Sequence, residues 1–281
     1  MSSPAHTRFA AVRARLERFE PKPGLHAWVY EFLLFGFKQG WACLFGALML
    51  ALLVGTYLFY PAHAPLARYD FLTIMALLIQ LGMLWSRLET LDEAKVILAF
   101  HVVGTAMELF KTSAGSWLYP EPSVLRIGGV PLFSGFMYAA VGSYIARVWR
   151  IFDFRFRHYP KPVWTWLLAA AVYVNFFAHH WLPDIRLLLF AAMVALFRRT
   201  PVYFTVWRQR RWMPLLVGWL LVALFIWFAE NLGTFADAWR YPNQARGWHL
   251  VSPAKLGAWY LLMYISFVLV SAVNRPKEPD A

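Results

Sequence analysis

Two glutamates set in otherwise apolar helical stretches are the residues best suited to chemistry in this chain. Glu108 lies in AMELF and Glu230 in WFAENLG. An ionisable group among such neighbours is costly to bury and marks a functional site by default. A carboxyl that keeps its proton in apolar surroundings serves as a general acid. The structural alternative is a glutamate near the headgroup zone, neutralised by Lys111 or an arginine, that holds helices together. His101, Thr105, Glu108 and Thr112 follow at i, i+4, i+7 and i+11 and so share one helical face. His101 is thereby either an acid–base partner for Glu108 or a hydrogen-bonded core histidine.

Each glutamate is followed at the same distance by Trp-x-Tyr-Pro: Trp117, Tyr119 and Pro120 after Glu108, and Trp239, Tyr241 and Pro242 after Glu230. Aromatic residues at this depth belong to an interfacial belt, and their ring faces also shelter a cation. Trp117, Tyr119, Trp239 and Tyr241 are therefore substrate-binding candidates, with Thr112, Thr234, Asn231, Asn175 and His179. His179, His180 and Asp184 are metal-ligand types, but HHxxxD lacks the i, i+4 histidine pair of HExxH-type sites. Interfacial capping of a span is the preferred account of them, and no metal is expected. Gly128, Gly129 and Pro131 mark a turn back into the membrane, with no strand before them to make a phosphate-binding fingerprint. No GxSxG, Walker, CxxC or HExxH pattern occurs, which removes most support for hydrolase or nucleotide chemistry.

The elements that carry these residues are themselves repeated. A shift of 122 residues superposes Glu108–Tyr138 on Glu230–Tyr260 with nine identities in 31 positions. Ordinary residue usage would give roughly two. The same shift superposes Pro61 on Pro183, so the repeat is expected to cover four spans against four. His101 maps onto Ala223, so the polar linings of the two copies differ.

Composition supplies the setting. Of 281 residues, 60% are hydrophobic, 19% aromatic and only 15% charged, with a mean hydropathy of +0.48, which argues for a bilayer. The net charge of +12 falls in segments expected to face the cytoplasm, so it reads as topology and not as nucleic-acid binding. Cys43 stands alone and can form no intrachain disulfide.

Spans are expected at about 40–60, 69–86, 94–112, 131–149, 162–180, 185–198, 212–233 and 254–273. Arginine-rich loops at 147–161 and 198–211 belong inside, giving an all-α, eight-span protein with both termini in the cytoplasm. Phe9, Val12, Leu16 and Phe19 recur at helical spacing in a basic N-terminal segment, 1–24, which is an amphipathic surface helix or a solvated tail. The first four-helix repeat then covers 25–150, the second 151–273, and a cytoplasmic tail 274–281. An even number of spans per repeat leaves both copies in the same orientation about an axis along the membrane normal.

RIGGVPLFSGFMY and AENLGTFADAWRYP resemble segments of a family of bacterial integral membrane proteins, domain-of-unknown-function family 817. The likeness runs from WVYEFLLFGFKQGW to WYLLMYISFVLV. It implies a multi-pass protein of the bacterial inner membrane and assigns no activity. At the level of motif alone, an acidic residue followed by W-x-Y and a G-x-P-L turn also looks like the repeated unit of heterodimeric-type lycopene cyclases and bisanhydrobacterioruberin hydratases. That comparison gives Glu108 and Glu230 the place of the acid and Trp117 and Trp239 that of the aromatic residue. The cyclases continue P-L-E-E, whereas this chain has Pro131-Leu132-Phe133-Ser134 and Pro253-Ala254-Lys255-Leu256. A shared scaffold, not cyclase activity, is what the resemblance implies.

The leading functional expectation is an acid-catalysed enzyme acting on a membrane-dissolved, isoprenoid-like lipid, with no soluble cofactor. A proton-coupled transporter or channel built on the same glutamates is the first alternative, and a structural or assembly protein the second. An apolar tunnel ending at the glutamates favours the enzyme, a hydrated cavity the transporter, and salt-bridged glutamates in tight packing the structural protein. Expected partners are the lipid bilayer and a lipophilic small molecule, with a homo-oligomer left open and nucleic acid set aside.

Overall fold

The computed structural model describes residues 19–279. Of the expected amphipathic segment, Phe9, Val12 and Leu16 lie outside them, while Phe19 is exposed and its ring meets that of Tyr30. Helices dominate: α1 (Leu25–Ala42), α2 (Leu44–Phe59), α3 (Arg68–Trp85), α4 (Leu91–Ser113), α5 (Phe133–Ile151), α6 (Pro162–Ala178), α7 (Arg186–Phe197), α8 (Leu215–Phe235) and α9 (Ala254–Val273). A small hairpin, β1 (Arg126–Ile127) with β2 (Val130–Pro131), precedes α5. A three-stranded antiparallel sheet joins β3 (Arg155–Phe156), β4 (Pro201–Thr205) and β5 (Arg210–Pro214).

Length and composition mark α3, α4, α8 and α9 as able to cross a membrane, and α1 with α2 as a fifth span if the bent pair is one. The chain is a mostly helical membrane protein on that basis. The eight spans counted from sequence exceed this number. Helix α7 has 12 residues, about 18 Å of rise against a hydrocarbon core of about 30 Å. Helix α6 is apolar but also short, and α5 mixes Gly, Ser, Tyr and Arg among its apolar residues.

Two other departures from expectation have clear causes. The apolar run near the N-terminus breaks at Cys43 with a 69° bend. Glu31 and Lys38, the charges in that run, are satisfied by the sheet: Arg211 donates to both Glu31 oxygens (3.1 and 2.5 Å) and Lys38 Nζ to the Val206 carbonyl (2.7 Å). These bonds tie α1 to β5 and to the turn after β4. The arginine-rich loops expected at 147–161 and 198–211 supply the strands themselves, with Val202 and Phe204 buried on alternate positions of β4.

Helix α4 is strongly delimited. Thr90 and Glu93 form a capping box (Glu93 N to Thr90 Oγ1 3.2 Å, Thr90 N to Glu93 Oε2 2.8 Å), with Asp92 beside them and Lys111 in the last turn. It ends at Gly115, whose φ of +70° suits a residue without Cβ, and Ser116 N donates back to the Lys111 carbonyl (2.9 Å). Helix α8 ends in the same way, with Asp237 at φ +54° and Ala238 N donating to the Gly233 carbonyl (3.0 Å). Helices α4 and α5 make the most extensive helix pair, and α8 packs on α9.

Candidate paired-glutamate site

The chain that leaves α4 and the chain that leaves α8 meet. Leu118 N donates to the Arg240 carbonyl (3.0 Å) and Arg240 N to the Leu118 carbonyl (2.9 Å), an isolated antiparallel bridge between the two Trp-x-Tyr-Pro segments. The start of α3 clamps both. Arg68 donates to the Ala236 carbonyl (2.6 Å) and to Glu121 (2.5 Å), and Tyr69 to the Ala238 carbonyl (3.1 Å). Asp70 accepts from Val124 N (2.9 Å) and Leu125 N (2.7 Å). Buried polar groups need such partners, and here the partners fix the loops.

Beneath the bridge both glutamates are buried. Glu108 accepts three hydrogen bonds, from Trp117 Nε1 (2.7 Å), Tyr119 OH (2.6 Å) and Tyr138 OH (2.7 Å). Glu230 accepts two, from Tyr241 OH and Trp259 Nε1 (2.6 Å for the latter). Burial first, and the neighbouring carboxylate second, push the Tyr119 and Tyr241 phenols well up, so both remain protonated donors. The donor rings then touch across the molecule: Trp117 meets Tyr241 edge-on (centroids 6.0 Å) and Tyr138 meets Trp259 (6.3 Å). The carboxylates are thus linked twice through aromatic pairs. Among the described residues neither is in an ion pair; Lys255 instead lies over the Tyr241 and Trp117 rings, at 4.3 and 5.4 Å.

Tyr138 and Trp259 also close one end of an apolar cleft between α4, α5, α8 and α9, with an internal volume of about 30 Å³. Phe100, Val103, Met107, Ile226, Leu262 and Leu269 are among its walls. Val103, Ile226, Leu262 and Leu269 are half-buried, so the cleft reaches the outer surface of the helices.

The remaining sequence candidates are distributed around this centre. Trp239 packs its ring on Gly233, where a Cβ would stand 2.2 Å away. Among the described residues Thr112 Oγ1 and Thr105 Oγ1 are buried without hydrogen-bond partners, whereas Thr234 accepts from Trp248 Nε1 (3.1 Å). Asn231 takes the Val251 N–H (2.9 Å) and donates to the Trp227 carbonyl (2.8 Å), which anchors a loop. His101 lies two turns from Glu108 against Phe136 and Gly135.

Asn175, His179, His180 and Asp184 gather at the C-terminal end of α6, beside Lys111. His180 Nε2 and His179 Nε2 face Lys111 Nζ (3.0 and 3.4 Å), and Asp184 is held by Asn175 (3.1 Å) and Arg186 (2.6 Å). An ammonium stands where the two imidazoles of His179 and His180 converge, while Asp184 pairs with Arg186. Among the described residues no group of three His, Cys, Asp or Glu side chains is placed to share a metal.

Three residues escaped sequence reasoning: Tyr138 and Trp259 as donors, and Lys255 as the nearby cation. Tyr138 was visible as one of the repeated identities. Trp259 was not, because the 122-residue shift sets it opposite Met137.

Fold and site define a helical membrane protein with an acidic, aromatic-lined centre. The chain belongs to the family described as "Protein of unknown function (DUF817)", whose profile matches residues 31–267. It is similar to the uncharacterized protein YoaT of Bacillus subtilis (strain 168), with 44% identity over 250 residues, covering 89% of this chain and 94% of the other. Crystal structures of MvINS, a mycobacterial Insig homologue from Mycobacterium vanbaalenii, one of them of a cross-linked trimer, match with a TM-score of 0.46 and 14% identity. That match covers 67% of this chain and 98% of MvINS.

Proposed function

We propose that this protein is an acid–base enzyme of the bacterial inner membrane, acting on an isoprenoid-like lipid that enters between the helices. The observation that carries the proposal is the position of Tyr138 and Trp259. Each donates to one of the two glutamates, and together they end an apolar cleft. A lipid chain lying in that cleft would bring a carbon–carbon double bond to the carboxyl groups. A proton from one glutamate adds to one alkene carbon, the other carbon becomes cationic, and the ring faces of Trp117, Tyr138, Tyr241 and Trp259 stabilise it. Proton loss back to a carboxylate, or addition of water with release of its proton, completes the turnover.

The same proposal takes the fold as two parallel four-helix repeats, 25–150 and 151–273, with eight spans and both termini inside. Leu118 and Arg240, which form the bridge, are matching positions under the 122-residue shift, and so are Gly115 and Asp237, the two left-handed helix ends. An antiparallel bridge between equivalent residues is what a two-fold axis through it would produce.

Lipid and pigment profiling of a strain lacking the chain, beside one overproducing it, tests the function. The expected result is a lipid that accumulates in the first and is replaced in the second by its isomer or its hydrate. Identical profiles would overturn the proposal.

A further inference from the structure

Two lysines stand one helical turn beyond the residues that line the cleft, next to the Tyr138 and Trp259 end. On α4 the cleft residues Phe100, Val103 and Met107 follow at i, i+3 and i+7, and Lys111 continues the stripe one turn further. On α9 the stripe Leu269, Ser266, Leu262 and Trp259 likewise continues, one turn beyond Trp259, to Lys255. Lys111 is buried and stacks on Phe176 at 4.3 Å; Lys255 lies over the Tyr241 ring. Their charges interact with each other and with Arg186. Asp184 acts on Lys111 and Glu230 and Glu108 act on Lys255, but each of these carboxylates is already engaged elsewhere. Lys111 meets His179 and His180, while Asp184 is taken by Arg186. Glu108 and Glu230 turn their oxygens to Trp and Tyr donors and act on Lys255 only through space.

An apolar groove with two ammonium groups at one end matches a molecule with an apolar chain and an anionic head. We propose that the cleft and the two lysines form one site for an isoprenoid phosphate, with the chain along the α4–α9 groove and the phosphate oxygens between Lys111 and Lys255. The open volume of about 30 Å³ fits a methylene-sized group, so the chain seats as a groove occupant, its far side left to the bilayer. The proposal deepens the enzyme reading, on which it rests, by naming the class of substrate.

Tryptophan-fluorescence titration of the purified full-length protein tests it, with farnesyl phosphate, farnesol and inorganic phosphate as probes. Farnesyl phosphate is expected to bind, farnesol about tenfold or more weakly, and inorganic phosphate not at all at millimolar concentration. Lys111→Gln and Lys255→Gln are each expected to weaken farnesyl phosphate about tenfold and leave farnesol unchanged, which also reports a folded protein. Lys255→Arg is expected to retain binding. Equal affinity for farnesol and farnesyl phosphate, binding of inorganic phosphate as tight as that of farnesyl phosphate, or indifference to both Gln substitutions would overturn the site. Titration of Glu108→Gln/Glu230→Gln separates the two proposals. If headgroup preference persists while these substitutions leave the cellular lipid profile normal, the acid–base reading alone fails. If the profile is lost while the headgroup makes no difference, the phosphate site alone fails.

Discussion

The pockets of Glu108 and Glu230 begin from the same motif and end differently. A carboxylate offers about four lone-pair positions. Glu108 fills three of them with Trp117, Tyr119 and Tyr138, while Glu230 fills two with Tyr241 and Trp259 and has the Lys255 charge nearby. The divergence starts at the tryptophan of the motif: Trp117 donates to its glutamate, whereas Trp239 sets its six-membered ring against Gly233. Glu108 is the better anchored acceptor, suited to hold a developing positive charge. Glu230 keeps room for a proton to come and go. In the proposed reaction, the differing donor sets are what would separate the roles of the two acids.

The largest expected difference is in stability. Glu108→Leu leaves three buried donors without an acceptor and should cost on the order of 3 kcal/mol or more, while Glu230→Leu strands two and should cost on the order of 2 kcal/mol. Denaturant unfolding in detergent compares them, and a greater loss at Glu230 would reverse the ranking. Next, Gly135 and Gly257 occupy matching positions with unlike surroundings. A Cβ on Gly135 would lie 2.4 Å from His101 Nδ1, whereas one on Gly257 would lie 3.3 Å from Phe190. Gly135→Ala should cost about 1–3 kcal/mol and Gly257→Ala about 1 kcal/mol less, because both gain alanine's helix propensity but only Gly135 lacks room for a Cβ. Trp117→Phe, which deletes one donor to a carboxylate, should cost about 1.5 kcal/mol or more, against a smaller loss for Trp239→Phe.

The smallest effect concerns the polar cluster at the opposite ends of α4 and α5. Glu89 accepts from Ser143 (2.7 Å) and Gln80 (2.6 Å), with the buried Arg147 guanidinium 4.0 Å away. Burial pushes its carboxyl up from the ordinary 4.5, against the opposing pull of Ser143, Gln80 and Arg147. The folded chain thus holds this proton more tightly than the unfolded chain. Stability should fall as pH rises above the unfolded carboxyl's range and through that of folded Glu89. Glu89→Gln should flatten that slope in unfolding curves measured between acid and neutral pH.

What could be seen in the sequence were residues that conflict with their surroundings. Glu108 and Glu230 stand out among apolar neighbours, and the Trp-x-Tyr-Pro spacing draws attention by recurring. Partner choice across helices was invisible: nothing local distinguishes Trp259, which reaches Glu230, from Tyr260, which donates to the Leu216 carbonyl (3.0 Å). The density of arginines at 198–211 concealed the alternation of Val202 and Phe204 that builds β4. The partners of Glu31 and Lys38, Arg211 and the Val206 carbonyl, lie more than a hundred positions away in the sequence. His101 shares a helical face with Glu108, yet two turns of α4 separate them, and its ring rests on Phe136.

Complementation of the deletion strain with Glu230→Gln or Glu108→Gln is the most direct test of the paired-acid account. Glu230→Gln, folded as judged by unfolding in detergent, should reproduce the lipid profile of the deletion. Glu108→Gln should retain a reduced conversion. Full restoration of the wild-type profile by Glu230→Gln would contradict the account.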